Sequence, residues 1–144
     1  MKRRHDAAGF TLLEVAVVVS IAGVLLALSY TGWQGHIAKQ RLRYGIVQVG
    51  SDLREGQERA KEARITYTVT FTAASSAYVI AGSGGGFVEN ADLPSGVTVA
   101  ANDVVTFTAF GQPDAAHTIT VQNSTGSGTV TVNATGGISY TTPP

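Results

Sequence analysis

The hydrophobic pattern changes period twice along the chain. Residues 15–28 are almost wholly apolar, and no residue of 15–33 is charged. At the helical rise of about 1.5 Å per residue that stretch is about 28 Å long, close to the roughly 30 Å hydrocarbon core of a bilayer. It predicts a helix long enough to span a membrane. Further on, Leu42, Ile46, Val49 and Leu53 recur at helical spacing on one face. Gly56, Ala60 and Ala63 continue that stripe with small residues, so a second layer can approach closely. A single long helix over residues 10–63 is the simplest prediction, with Gly32, Gly35, Gly45 and Gly50 weakening it locally. From Ile65 the period drops to two: Ile65, Tyr67, Val69 and Phe71 alternate with Thr66, Thr68, Thr70 and Thr72, the mark of a half-buried strand. Further strands are predicted at 77–81, 96–100, 104–110, 118–122, 129–133 and 138–140, separated by Gly- and Pro-rich turns. Short strands with close turns imply one mainly antiparallel sheet or two small ones, with the apolar face covering the helix stripe. The fold class is α+β.

At 144 residues the chain holds one domain plus an appendage. The formal net charge is zero, but its distribution is uneven: three of the ten Lys and Arg residues lie at 2–4, seven at 39–64, and none beyond Arg64. Basic flanks stay on the cytoplasmic side, so Lys2, Arg3 and Arg4 orient the apolar segment outward and deliver the C-terminal part across the membrane. On the stem, Asp52, Glu55, Glu58 and Glu62 interrupt the positive charge, which is poor phosphate-binding chemistry. Arg54 with Glu58 and Glu55 with Arg59 have the i,i+4 spacing of helix ion pairs. The absence of cysteine removes disulfides, thiolate metal sites and cysteine nucleophiles.

Candidate chemistry is sparse. His5, His36 and His117 show no partners in the sequence for a metal or catalytic site, and His117 reads as an exposed or half-buried strand residue. The run Gly82-Ser83-Gly84-Gly85-Gly86 lacks the Lys-Ser/Thr of a phosphate loop and reads as a hairpin connection. Asn123-Ser124-Thr125 and Asn133-Ala134-Thr135 fit the glycosylation acceptor pattern, which arises easily in a Thr-rich chain. No acid, base or nucleophile cluster is visible, so neither enzymatic activity nor a cofactor is expected.

Glu14 is what the membrane reading leaves over. A secretory signal would end in a small-x-small cleavage motif, which Ala27-Leu28-Ser29 matches poorly, and a plain anchor needs no carboxylate. A charge within a span costs about 2.5–3.5 kcal/mol on insertion scales and normally has a specific partner.

The stretch Gly9-Phe10-Thr11-Leu12-Leu13-Glu14, followed by the apolar run, resembles the type IV prepilin family, including the pseudopilins of type II secretion. The resemblance implies a pilin-like fold and the following division: residues 1–9 a leader that is removed, 10–33 the transmembrane and assembly half of the helix, 34–64 an amphipathic stem, and 65–144 a C-terminal β domain. It implies that a prepilin peptidase cuts between Gly9 and Phe10 and methylates the new amine of Phe10. It also implies that Glu14 pairs with the N-terminal amine of a neighbouring subunit during filament assembly. Burial deprives both charges of solvent, and each becomes tolerable by meeting the other. The order of parts further resembles the GspH/FimT-like minor pseudopilins and minor pilins. The matching stretches are Arg59-Ala60-Lys61-Glu62-Ala63-Arg64 ahead of the first strand, Val105-Thr106-Phe107-Thr108-Ala109-Phe110-Gly111, and the terminal hairpin with Gly136-Gly137.

The implied function is a minor subunit of a type IV pilus or type II secretion filament. Its implied partners are other pilins or pseudopilins, the prepilin peptidase and an inner-membrane assembly platform. It would sit in the bacterial inner membrane as a single-pass protein with an extracytoplasmic β domain. Two other readings fit the residues: a membrane-anchored binding module whose Thr-rich domain recognises a ligand, and a competence-pilus subunit assisting DNA uptake. Relatives in DNA uptake carry arginines beside the terminal glycine, but Gly136-Gly137-Ile138-Ser139-Tyr140 has no basic residue, so direct DNA binding is not expected.

Overall fold

The computed structural model describes residues 10–143, and of residues 28–32 the backbone alone. The expected leader, with Gly9, therefore lies outside the described residues. The chain divides into two compact units, Met1–His36 and Ile37–Pro144. Among the described residues the elements are one helix, α1 (Leu12–Ala63), and eight strands: β1 (Tyr67–Phe71), β2 (Ala77–Gly82), β3 (Val88–Asp92), β4 (Thr98–Val99), β5 (Asp103–Phe107), β6 (His117–Asn123), β7 (Gly126–Val132) and β8 (Ile138–Thr141).

Helix α1 begins where Thr11 caps it. The Glu14 backbone N–H donates to Thr11 Oγ1 at 3.2 Å, and Val15 N–H donates to the Thr11 carbonyl at 3.2 Å. Thr-x-x-Glu is the sequence of a capping box, so Glu14 occupies the third helical position. The helix ends after Ala63 at Arg64, whose φ of 54° is the left-handed conformation that terminates many helices.

In the second unit the strands form two antiparallel four-stranded sheets, ordered β3-β2-β1-β5 and β4-β6-β7-β8. Alternation does what its period requires. Tyr67, Val69 and Phe71 are buried in β1, Tyr78 and Ile80 in β2, Val105 and Phe107 in β5, Ile119 and Val121 in β6, and Val130 and Val132 in β7. They share one core with Leu42, Ile46, Val49 and Leu53 of α1, each 0% exposed. Full burial of one such aliphatic side chain contributes about 1.5–3 kcal/mol, which makes this stripe the main tie between stem and sheets.

Small residues set how closely the layers approach. A Cβ at Gly128 of β7 would lie 2.3 Å from Ile46 Cδ1 and 2.5 Å from the Thr141 carbonyl oxygen of β8. The helix glycines that the sequence marks as weak points have a packing role as well: Gly45 faces Val97 and Pro94, and Gly50 faces Tyr140 and Val130. Ala63 departs from the expected stripe and is exposed, because the helix ends there.

Three strand expectations change. Strand β3 was not anticipated, since Val88-Glu89-Asn90-Ala91-Asp92 has no apolar alternation. It is an edge strand, exposed along most of its length, and acidic side chains on an edge discourage unwanted pairing. The strand expected at 96–100 shrinks to β4, because Val97 N–H closes a turn onto the Pro94 carbonyl at 3.0 Å. The strand expected at 104–110 stops at Phe107. Gly111 then turns with φ 75°, donating to the Thr108 carbonyl at 2.7 Å and leaving Phe110 79% exposed. Of the two expected helix ion pairs, Arg59 meets Glu55, with Nε 3.0 Å from Oε1. Arg54 instead donates to the Ile138 carbonyl at 2.9 Å, while Glu58 takes Lys61 at 2.8 Å.

Candidate functional site

In the first unit the described part of α1 turns apolar side chains outward. Phe10 is 82% exposed and Leu12 88%; Val18, Val19, Val24, Leu25 and Leu26 are exposed too. A helix that is hydrophobic all round is built for burial against other apolar surfaces. Glu14 lies in a shallow groove lined otherwise by Phe10, Val15, Val18 and Val19. It is an exposed carboxylate on an apolar surface. Ser20 satisfies its hydroxyl on the Ala16 carbonyl at 2.7 Å, so it adds little polarity. The structure thus places Phe10 and Glu14 one helical turn apart. Gly9, the third residue of the expected site, lies outside the described residues. No helix among the described residues is long and apolar enough to cross a membrane. The span expected at 15–33 includes residues 28–32, whose side chains are outside the description.

The β domain brings together one group of titratable residues that the sequence did not suggest. His117, at the start of β6, lies between two carboxylates: Nδ1 is 2.9 Å from Asp103 Oδ1 of β5, and Nε2 is 3.1 Å from Asp114 Oδ1. His117 is the half-buried strand residue expected, but it has ion-pair partners that the sequence does not name. The partners are distant or unremarkable in sequence, and the junction of β5 with β6 brings them together. The same Asp114 oxygen accepts the Thr106 N–H at 3.0 Å. A carboxylate only accepts, so both ring nitrogens donate at once only as imidazolium. Burial opposes that charge, but the hydrogen bonds to Asp103 and Asp114 outweigh it and raise the His117 pKa above its usual value. Asp114 is lowered: partial burial would raise it, and the Thr106 N–H and His117 overcome that. The geometry is that of an ion-paired link between the two sheets. Among the described residues no group of His, Cys, Asp or Glu could hold a metal ion.

Two further polar links hold the stem on the domain. The Tyr78 hydroxyl donates to Asp52 Oδ2 beside Gln48, and burial together with this carboxylate drives the phenol far above its ordinary pKa. Gln57 Nε2 donates to the carbonyls of Gly111 at 2.7 Å and Gly136 at 3.1 Å, joining one turn from each side of the domain. These groups are satisfied by one another, which is the signature of a structural role.

Comparison with known proteins points the same way as the N-terminal geometry. Residues 4–30 match the family model described as the prokaryotic N-terminal methylation motif. No curated protein matches the chain. Among solved structures, the type IV minor pilin FimU of Pseudomonas aeruginosa (strain PAO1) is similar, with a TM-score of 0.57 at 14% sequence identity. The match covers 73% of this chain and 90% of that one. At that identity the likeness establishes the fold, a long N-terminal helix with an antiparallel sheet domain. The chain thus carries a match to the N-terminal methylation motif over residues 4–30 and has the fold of a type IV pilin, a long N-terminal helix with an antiparallel sheet domain.

Proposed function

We propose that this chain is a minor, low-abundance subunit of a type IV pilus or type II secretion filament, acting by assembly rather than catalysis. The observation that carries the reading is Glu14: a single carboxylate on an apolar helix surface, within a segment matching the methylation motif. In this reading residues 1–9 are removed by a prepilin peptidase between Gly9 and Phe10, and the freed amine of Phe10 is methylated. The helix then waits in the inner membrane with its β domain on the extracytoplasmic side. An assembly platform lifts it into the filament, where Glu14 meets the N-terminal ammonium of a neighbour. The likeness to a minor pilin supports the filament role and the low abundance. Residues 10–33 would then serve membrane and assembly, 34–64 the stem, and 65–144 the outward face. A C-terminally tagged chain should appear at low stoichiometry in purified filaments sheared from cells. Confinement to the membrane fraction, with filaments present but untagged, would contradict the proposal.

A further inference from the structure

The stem carries its charge in two dissimilar halves. Between Glu14 and Asp52 the only Lys, Arg, Asp or Glu residues are Lys39, Arg41 and Arg43. All three are exposed, while Leu42, Gly45 and Ile46 beside them face the core. The ion pairs of the described residues join Arg59 to Glu55 and Glu89, Lys61 to Glu58, and His117 to Asp103 and Asp114. None of them involves Lys39, Arg41 or Arg43. The mixed charge that argues against an anionic ligand therefore belongs to the distal half of the stem alone. Tyr44, 67% exposed, stands next to the three cations, and tyrosine is enriched where hydrocarbon meets water.

Two candidate partners differ in what they offer these cations. A second copy would present its β-domain carboxylates, but Glu89 is already near Arg59 at 3.8 Å, and Asp103 and Asp114 hold His117. Only Asp92 of that domain makes no ion pair among the described residues. A phospholipid surface offers many phosphates at the right place along the chain. Lys39 to Arg43 follow Trp33, the end of the span expected at 15–33, by six to ten residues. At about 1.5 Å per residue that is roughly 9–15 Å of helix, about one to two Debye lengths at physiological salt.

We propose that Lys39, Arg41 and Arg43 contact the anionic phospholipid headgroups of the leaflet from which the helix emerges, an inference that rests on the membrane-anchored reading above. The contact holds the stem at the membrane surface until the subunit leaves for the filament, and must break when it does. Each cation near an anionic surface changes surface association about fivefold at low ionic strength.

The chain has no cysteine, so Val47→Cys, at an exposed position beside the band, gives a unique site for a fluorophore. The labelled full-length chain is reconstituted into vesicles of phosphatidylcholine alone or mixed with phosphatidylglycerol, each carrying a headgroup-attached quencher. Flotation reports membrane association separately. The expected result is severalfold stronger quenching in the anionic vesicles, abolished by salt and absent in the K39Q/R41Q/R43Q variant, with both proteins floating equally. Equal quenching in both lipids, or anionic-dependent quenching that persists in the variant, overturns the headgroup contact while leaving the anchor intact. Failure of the unmodified chain to float overturns the anchor reading itself. Lipid-independent quenching with impaired filament incorporation of the variant assigns the cations to a neighbouring subunit and overturns the proposal.

Discussion

Replacing Glu14 with alanine is expected to leave the processed chain in the membrane and remove it from the filament. The substitution acts on both ends of the exchange. In lipid it eliminates a charge whose insertion costs about 2.5–3.5 kcal/mol, so the membrane state becomes more favourable. In the proposed filament it would strand the neighbour's buried ammonium, and breaking a buried pair from one side costs about 3–5 kcal/mol. Either change alone corresponds to tens-fold to thousands-fold in an equilibrium constant. Incorporation of Glu14→Ala should therefore fall by more than tenfold, even if assembly is partly driven by the machine. Glu14→Gln keeps the shape and the capping position but not the charge, and should fail similarly. Glu14→Asp, charged but shorter, should retain part of the function. Quantifying tagged variants in sheared filaments against the membrane fraction checks this. Because Glu14 also sits in the Thr11 cap, helix content of each variant in detergent should be measured alongside. A variant that is helical, processed and incorporated normally would show that Glu14 is not the assembly charge.

The β domain is expected to lose stability as pH rises through neutrality, because His117 must be protonated to serve both of its carboxylates. Its pKa is raised in the folded state, so its contribution is fully present below the unfolded value near 6.5 and disappears as pH climbs through the folded value. Asp114 has the opposite sign: its folded pKa is depressed, so its contribution is present above the ordinary aspartate range near 4 and is lost on acidification through the folded value. Stability should peak between these limits. The side chains of His117, Asp103 and Asp114 are 13%, 26% and 47% exposed, so solvent screens the outer partner. Charged hydrogen bonds of this kind contribute about 1.5–3 kcal/mol each when shielded. After that discount, His117→Leu is expected to cost about 2 kcal/mol at pH 6 and much less at pH 9. Urea unfolding of the full chain in detergent at a series of pH values reads this directly. A wild-type profile flat between pH 6 and 9, or one unchanged by His117→Leu, would remove the ion-paired link.

Much of this architecture is written in periodicity. Leu42, Ile46, Val49 and Leu53 are legible because a helix packed on a sheet must bury one face, and Tyr67, Val69 and Phe71 because a strand must bury every second residue. Strand β3 was illegible for the complementary reason: at a sheet edge it buries little, so selection for apolar alternation has nothing to act on. The link at His117 was invisible because strand pairing, rather than spacing, creates it. Asp103 belongs to a strand of one sheet and His117 to a strand of the other, and the one local cue is the i,i+3 separation of Asp114 and His117. Phe10 and Glu14 are proposed as processing and assembly residues from motif chemistry alone. The burial proposed for them in a filament would lie between molecules, and a single chain would show it only as an apolar surface turned outward.

The most direct test is mass spectrometry of the N-terminus of the chain isolated from its native membrane. A mature chain beginning at N-methylated Phe10, with residues 1–9 absent, is the predicted result. A chain that retains Met1, or one cut near Ser29, would contradict the account, because Glu14 would then have no processed amine of its own kind to meet.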